Sequence, residues 1–252
     1  MFVKGTQTNP YKIKTAADFS LVAKFPEACF ELENDIDFKH MSIMHNKNYC
    51  FKGSFNGKGH QIINLKTKNA RDGLSGAFGR LAKEAIVQNL TVNNAFAAGE
   101  GYVGVIAGES WGQIINCCVK SAIAEGYYNV GGLIGVNHKG AKIALCSAGA
   151  TLVGNINIGG IVGDNQDGGE IYVCRSLGKL CGLENIGGIA GRNCGAVIDS
   201  ESVAKLSGKK AYGQLVGLNH GLIDIANNEL IREYCNQVFV FAEYIGRNCL
   251  AL

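Results

Sequence analysis

Apolar residues along this 252-residue chain fall in runs of three to five, separated by glycine, asparagine and aspartate. Around residue 160 these runs are Gly160-Ile161-Val162, Glu170-Ile171-Tyr172-Val173-Cys174 and Gly178-Lys179-Leu180-Cys181. Short runs rich in Ile, Val and Leu and bounded by turn residues read as strands. No stretch sustains a 3.6-residue apolar period over the roughly eleven positions an amphipathic helix requires. The pattern also repeats. Val130-Gly131-Gly132-Leu133-Ile134-Gly135 returns as Ile158 to Gly163 and Ile186 to Gly191, with degraded copies at Val103 to Gly108 and Tyr212 to Gly217. The closing glycines at 108, 135, 163, 191 and 217 lie 27, 28, 28 and 26 residues apart. A fixed period of this length marks units that bury their apolar face only by stacking on a neighbour. Three strands per unit, stacked in register, predict a parallel β-helix with coils of about 28 residues spaced ~4.8 Å apart.

Vertical columns support the stacking. Asn137, Asn165, Asn193 and Asn219 each follow a closing glycine by two residues, and Ser110 holds that place in the first copy. Asn129, Asn157 and Asn185 form a second column, and Cys117, Cys146 and Cys174, continued by Ser200, a third. Asparagine accepts left-handed turn geometry, and its amide can bond to the coils above and below. The cysteines fit a narrow core.

These units resemble the GLUG motif, which runs roughly V-G-G-L-V-G-x-N-x-G and then an I-x-N-C strand. Residues 130–140 and 143–146 carry the first part, and Ile114-Ile115-Asn116-Cys117 the strand. The region before the repeats is similar to the lead-in of such proteins: Thr15 to Phe19, Leu32 to Asp37, Phe51 to Ile62, and Gly76 to Gly79 recur in that order. The resemblance covers about residues 11–226. It implies an all-β, right-handed parallel β-helix of the kind found in bacterial surface adhesins and beside secreted peptidase domains.

One continuous domain is expected: a basic lead-in and first coils over 1–83, repeats over 84–226, and a C-terminal segment over 227–252. Residues 11–37 are expected to cap the first coil, with a short helix from Ala16 to Lys24. Residues 227–252 lose the glycine period and gain Leu230, Ile231, Tyr234, Phe239 and Phe241. They read as a second cap or as a surface for forming a homodimer, since terminal coils need covers.

Net charge is +3 but unevenly spread, with 13 Lys/Arg against 7 Asp/Glu in residues 1–83. Lys47, Lys52, Lys58, Lys66, Lys68 and Arg71 could contact phosphates, giving a nucleic-acid reading; a solvated strand face is the plainer alternative. Ten cysteines in a chain long enough to build a core suggest reduced thiols. With no apolar leader and no membrane-length apolar run, the expected location is cytoplasmic, or the cell surface if an export signal has been removed.

Motif matches to catalysis fail on context. Gly108-Glu109-Ser110-Trp111-Gly112 copies the G-x-S-x-G elbow, but Ser110 occupies the asparagine corner column and lacks the strand-to-helix turn. Gly99 to Gly104 satisfies G-x-G-x-x-G yet leads into another strand. Asp164, Asp167 and Glu170 bracket a corner without a recognised calcium spacing, and Asp35 and Asp37 read as lead-in turn residues. The chain is therefore expected not to be an enzyme and to need no cofactor or metal. The expected role is an interaction protein, of bacterial or phage type, that binds or blocks a protein partner; an adhesin-like surface module is the alternative. Tyr102, Trp111, Tyr127, Tyr128 and Tyr212, placed at or near one corner of successive coils, are the expected partner-binding residues.

Overall fold

The computed structural model describes residues 4–225 except 40, 46, 47 and 70–73. It is a parallel β-solenoid in which four sheets run along the stack, of nine, ten, five and six strands. Every pairing between its strands is parallel. One coil shows the plan: Lys142–Ala144 lies in the nine-stranded sheet, Ser147–Val153 in the ten-stranded, Ile156–Gly159 in the five-stranded and Val162–Asn165 in the six-stranded. Each such coil carries four strands where three were expected. The glycine-centred run, read as one strand, is a corner that joins two. Strand Ile156–Gly159 ends at the corner and Val162–Asn165 begins after it.

Glycine makes that corner possible. A Cβ on Gly159 would strike the Val162 carbonyl, and one on Gly160 would strike Ser176 Oγ and the Gly188 carbonyl. The two sheets meet backbone to backbone there, and Ala148, Ser176 and Ser202 keep the facing strands small.

Register explains the columns. Asn137 pairs with Asn165 and Asn165 with Asn193, each at the same height in its coil. Their amides form a ladder with Nδ2 to Oδ1 distances of 2.8, 2.7 and 2.8 Å from Asn137 to Asn219. Asn129, Asn157 and Asn185 take φ of 53°, 59° and 57° and make a second ladder at 2.8 Å per step. At the cysteine corner the Cys117 N–H donates to Cys146 Sγ at 3.4 Å, and the Cys174 N–H donates to Ser200 Oγ at 3.0 Å. Thiol and hydroxyl thus do the same work, satisfying a buried donor of the preceding coil. Burial and the neighbouring Cys146 thiol push the Cys174 thiol up, which keeps it protonated.

The core changes along the stack. Phe19, Phe30, Phe38, Phe51, Phe55 and Phe78 fill the first coils, with ring centroids 5.0–6.4 Å apart. Later coils use Ile114, Ile143, Ile171 and Val197 in one fully buried column. The lead-in is part of the stack: Tyr11–Ile13 pairs with Cys29–Leu32 as the first rung of the nine-stranded sheet. Its helix spans only Ser20–Lys24, because the preceding residues form turns held by Asp18 on the Thr15 and Lys14 amides. Among the described residues no helix is long and apolar enough to cross a membrane. The expected cap or dimer segment, 227–252, lies outside the described residues.

Gly160→Ala forces a methyl into that glycine corner and is expected to cost about 3 kcal/mol or more, read as a fall in the urea midpoint. At another corner, column positions held by Asn89 and Asn116 pass to Leu145 and Val173, still at φ of 57° and 47°. A β-branched residue there is strained, so Val173→Asn is expected to stabilise by about 1 kcal/mol, seen as a higher Tm.

Candidate interaction surface

The ten- and five-stranded sheets meet at a corner that repeats as Glu125 to Tyr128, Val153 to Ile156, Cys181 to Glu184 and Ser207 to Lys210. The second position is glycine each time, and a Cβ there would press on the buried Val130, Ile158 or Ile186 side chains. With the corner held close to the core, the residues on either side of the glycine project outward. Tyr127 is 55% exposed, Leu183 44%, Val153 43% and Ile156 36%. Together they form an apolar ridge along the stack, mounted on backbone hydrogen bonds from coil to coil: Asn155 N–H to the Tyr127 carbonyl at 2.9 Å and Leu183 N–H to the Asn155 carbonyl at 2.9 Å.

Tyr127 and Tyr128 of the five expected aromatics belong to this ridge, and Tyr102 packs beside it. Tyr102 and Tyr128 meet edge to face at 5.7 Å, and Tyr127 and Tyr128 at 6.2 Å. Burial, then the nearby Tyr128, raises the Tyr102 phenol above its ordinary value. Tyr102 stands where later coils have Asn129 and Asn157, at φ 51°. The other two aromatics sit elsewhere. Tyr212 pairs with Ile186, in a column that is buried core in earlier coils, and becomes 48% exposed only in the last rung of its sheet. Trp111 follows Ser110 and so falls at the corner leaving the six-stranded sheet.

At that second corner Trp111 stacks flat on His138, centroids 3.8 Å apart at 4°. His138 Nδ1 lies 2.7 Å from Gln166 Oε1, and Nε2 lies 3.8 Å from Glu109 Oε2. Arg80 Nε donates to Glu109 at 3.0 Å. Burial works against the Glu109 carboxylate, but the His138 and Arg80 contacts outweigh it and hold Glu109 below its ordinary pKa. Asp164, two coils on, takes two 2.8 Å bonds from Arg192. This network was missed in the sequence because its members come from different repeats. The 27-residue offset placing Ser110 beside Asn137 was the available signal, since it puts Trp111 beside His138.

The other candidates resolve into structural contacts. The Ser110 hydroxyl accepts from the Gly112 N–H at 3.1 Å inside its corner. Asp35 accepts from Gln61 Nε2 at 2.9 Å, and Asp37 from Asn64 Nδ2 at 2.7 Å. Of the basic group, Lys66 and Lys68 project from one strand, Lys58 sits in a turn, and Lys52 pairs with Glu27 at 2.9 Å. Lys47 and Arg71 lie outside the described residues. All eight described cysteines are free thiols.

No family model matches the chain. Among solved structures, it superposes with a TM-score of 0.72 on a Bacteroides ovatus protein described as a "putative immunoglobulin A1 protease". The two share 22% identity over 88% of this chain and 75% of the other. Two curated sequences match in part: Halomucin from Haloquadratum walsbyi, 30% identical over 148 residues, and a "Putative Gly-rich membrane protein" from Evansella cellulosilytica, 30% identical over 131 residues. The matched regions cover 52% and 46% of this chain but only 2% and 15% of those proteins. The structural likeness shows the fold. It also corrects the expectation that the chain is not an enzyme: a solved protein of this fold bears a protease name, so a β-helix gives no ground for excluding catalysis.

A carboxylate with a depressed folded pKa adds stability above its unfolded value of 4.5 and loses it as pH falls through the folded value. Glu109→Gln is therefore expected to lower stability at pH 7 and to flatten the loss below pH 4.5, measured as urea midpoints from pH 7 to 2.5.

Proposed function

We propose that this chain is a GLUG-type repeat module whose β-helix presents the Tyr127–Leu183 ridge as a protein-binding surface. The observation that carries the reading is the row of exposed Tyr127, Val153, Ile156 and Leu183 on consecutive coils. Apolar and aromatic side chains fixed at one coil spacing meet a partner with little further ordering cost. The ladders at the flanking corners supply the rigidity. The Val-Gly-Gly-Leu-Ile-Gly and Ile-Ile-Asn-Cys strings support the GLUG assignment. A second reading, a module of a larger surface protein, is favoured by the partial match to a protein named as a Gly-rich membrane protein.

Tyr127→Ser/Leu183→Ser leaves every buried contact of the corner in place. The double variant is expected to keep the wild-type Tm and circular dichroism and to lose, by at least about tenfold, the protein that wild type retains from a lysate of the native cell. Equal retention by a folded double variant would overturn the ridge as the binding surface.

A further inference from the structure

The ridge has a polarity that its apolar middle conceals. Backbone hydrogen bonds align one position of five successive coils: Tyr127 on Glu100, Asn155 on Tyr127, Leu183 on Asn155 and Lys209 on Leu183. The column therefore reads acid, aromatic, amide, aliphatic, base: Glu100, Tyr127, Asn155, Leu183, Lys209. Glu100 and Lys209 are both exposed, and neither forms an ion pair among the described residues. They stand four coil steps apart, about 19 Å. Reversed end for end, the column complements itself. Glu100 meets Lys209, Tyr127 meets Leu183, and Asn155 meets Asn155.

The flanking columns obey the same operation. One runs Gly101, Tyr128, Ile156, Glu184, Lys210, in strand register throughout. Reversal sets Ile156 against Ile156 and the Tyr128 phenol against the Glu184 carboxylate. The other runs Ala98, Glu125, Val153, Cys181, Ser207 and sets Val153 against Val153. A two-fold axis in the plane of the contact, perpendicular to the stack, generates all of these pairs at once. That is the condition for an isologous interface, where residue i meets j and j meets i.

We infer that the ridge pairs with a second copy of this chain, antiparallel, about a two-fold axis through Asn155. This rests on the reading of the ridge as a protein-binding surface and names its partner. Five coils make a short interface, so the dimer is a weak, concentration-dependent one. Its end charges fix orientation: a parallel pairing would place Glu100 on Glu100 and Lys209 on Lys209.

Sedimentation equilibrium of the full chain is expected to show the 26.7 kDa species giving way to one of twice that mass as concentration rises into the hundreds of micromolar. Glu100→Lys and Lys209→Glu are each expected to weaken the dimer roughly tenfold, and the double swap to restore it to within roughly threefold of wild type. In a Cys181→Ser background, Asn155→Cys is expected to cross-link to itself under mild oxidation, because that position lies on the axis. A single 26.7 kDa species at every concentration, or a double swap no better than either single change, would overturn the dimer. The ridge as a binding surface fails on a different result, retained lysate binding by Tyr127→Ser/Leu183→Ser, so the two outcomes separate.

Discussion

Parallel strands stacked in register place each corner directly above the last, and a polar group turned into a corner then has its own turn and the adjacent coils as partners. In this chain the constraint is met by identity. An asparagine that donates to one neighbouring coil must find an asparagine there that accepts, and the ladders through Asn137 to Asn219 and, in the opposite direction, Asn185 to Asn129 are the outcome. Breaking the rung between Asn137 and Asn165 or between Asn165 and Asn193 would strand two buried amides, each at a cost comparable to a lost hydrogen bond. The same rule governs Cys146 and Ser200, which accept from a buried N–H through different atoms. The columns follow from the stacking; they are not ornaments on it.

Much of this was written openly in the residues. The 28-residue period is the register itself, so glycine spacing translated directly into strand pairing from Ala107 to Asn219. What the string of letters hid was direction within a coil. Gly159-Gly160-Ile161 has the composition of a strand, and only the close approach of the Val162 and Gly188 carbonyls shows that it turns between two. The helix expected from Ala16 to Lys24 shortens to Ser20–Lys24 for a related reason: Asp18 uses its carboxylate on nearby amides, which favours turns over a helical first turn.

The apolar ridge was half legible. Tyr127 and Tyr128 are adjacent and Tyr102 lies one coil before them, so the repeat period places all three together. Trp111 was misplaced because a nine-residue separation from Tyr102 carries the chain around a sharp corner to a different edge. Ile156, Leu183 and Val153 went unnoticed, since an aliphatic residue in a strand-rich chain suggests core. Counting coil by coil from Tyr127 would have put Leu183 beyond Asn155 on the outer edge. The tryptophan corner and the tyrosine ridge therefore differ in construction: one is a folded-in network of Arg80, Glu109, His138 and Gln166, the other an open row.

Uniform pairing between neighbouring coils has a further consequence for how such a molecule can change. Asn157 and Asn185 occupy equivalent places with the same left-handed backbone, so the segment between them is one whole coil. Loss or duplication of that segment joins like to like and leaves every ladder closed. The molecule can therefore lengthen or shorten its exposed edge in increments of about 4.8 Å while its cross-section stays constant. Reach is thus set by the number of coils, each bringing its own interface, and the span of the surface can change without redesigning what lies beneath it.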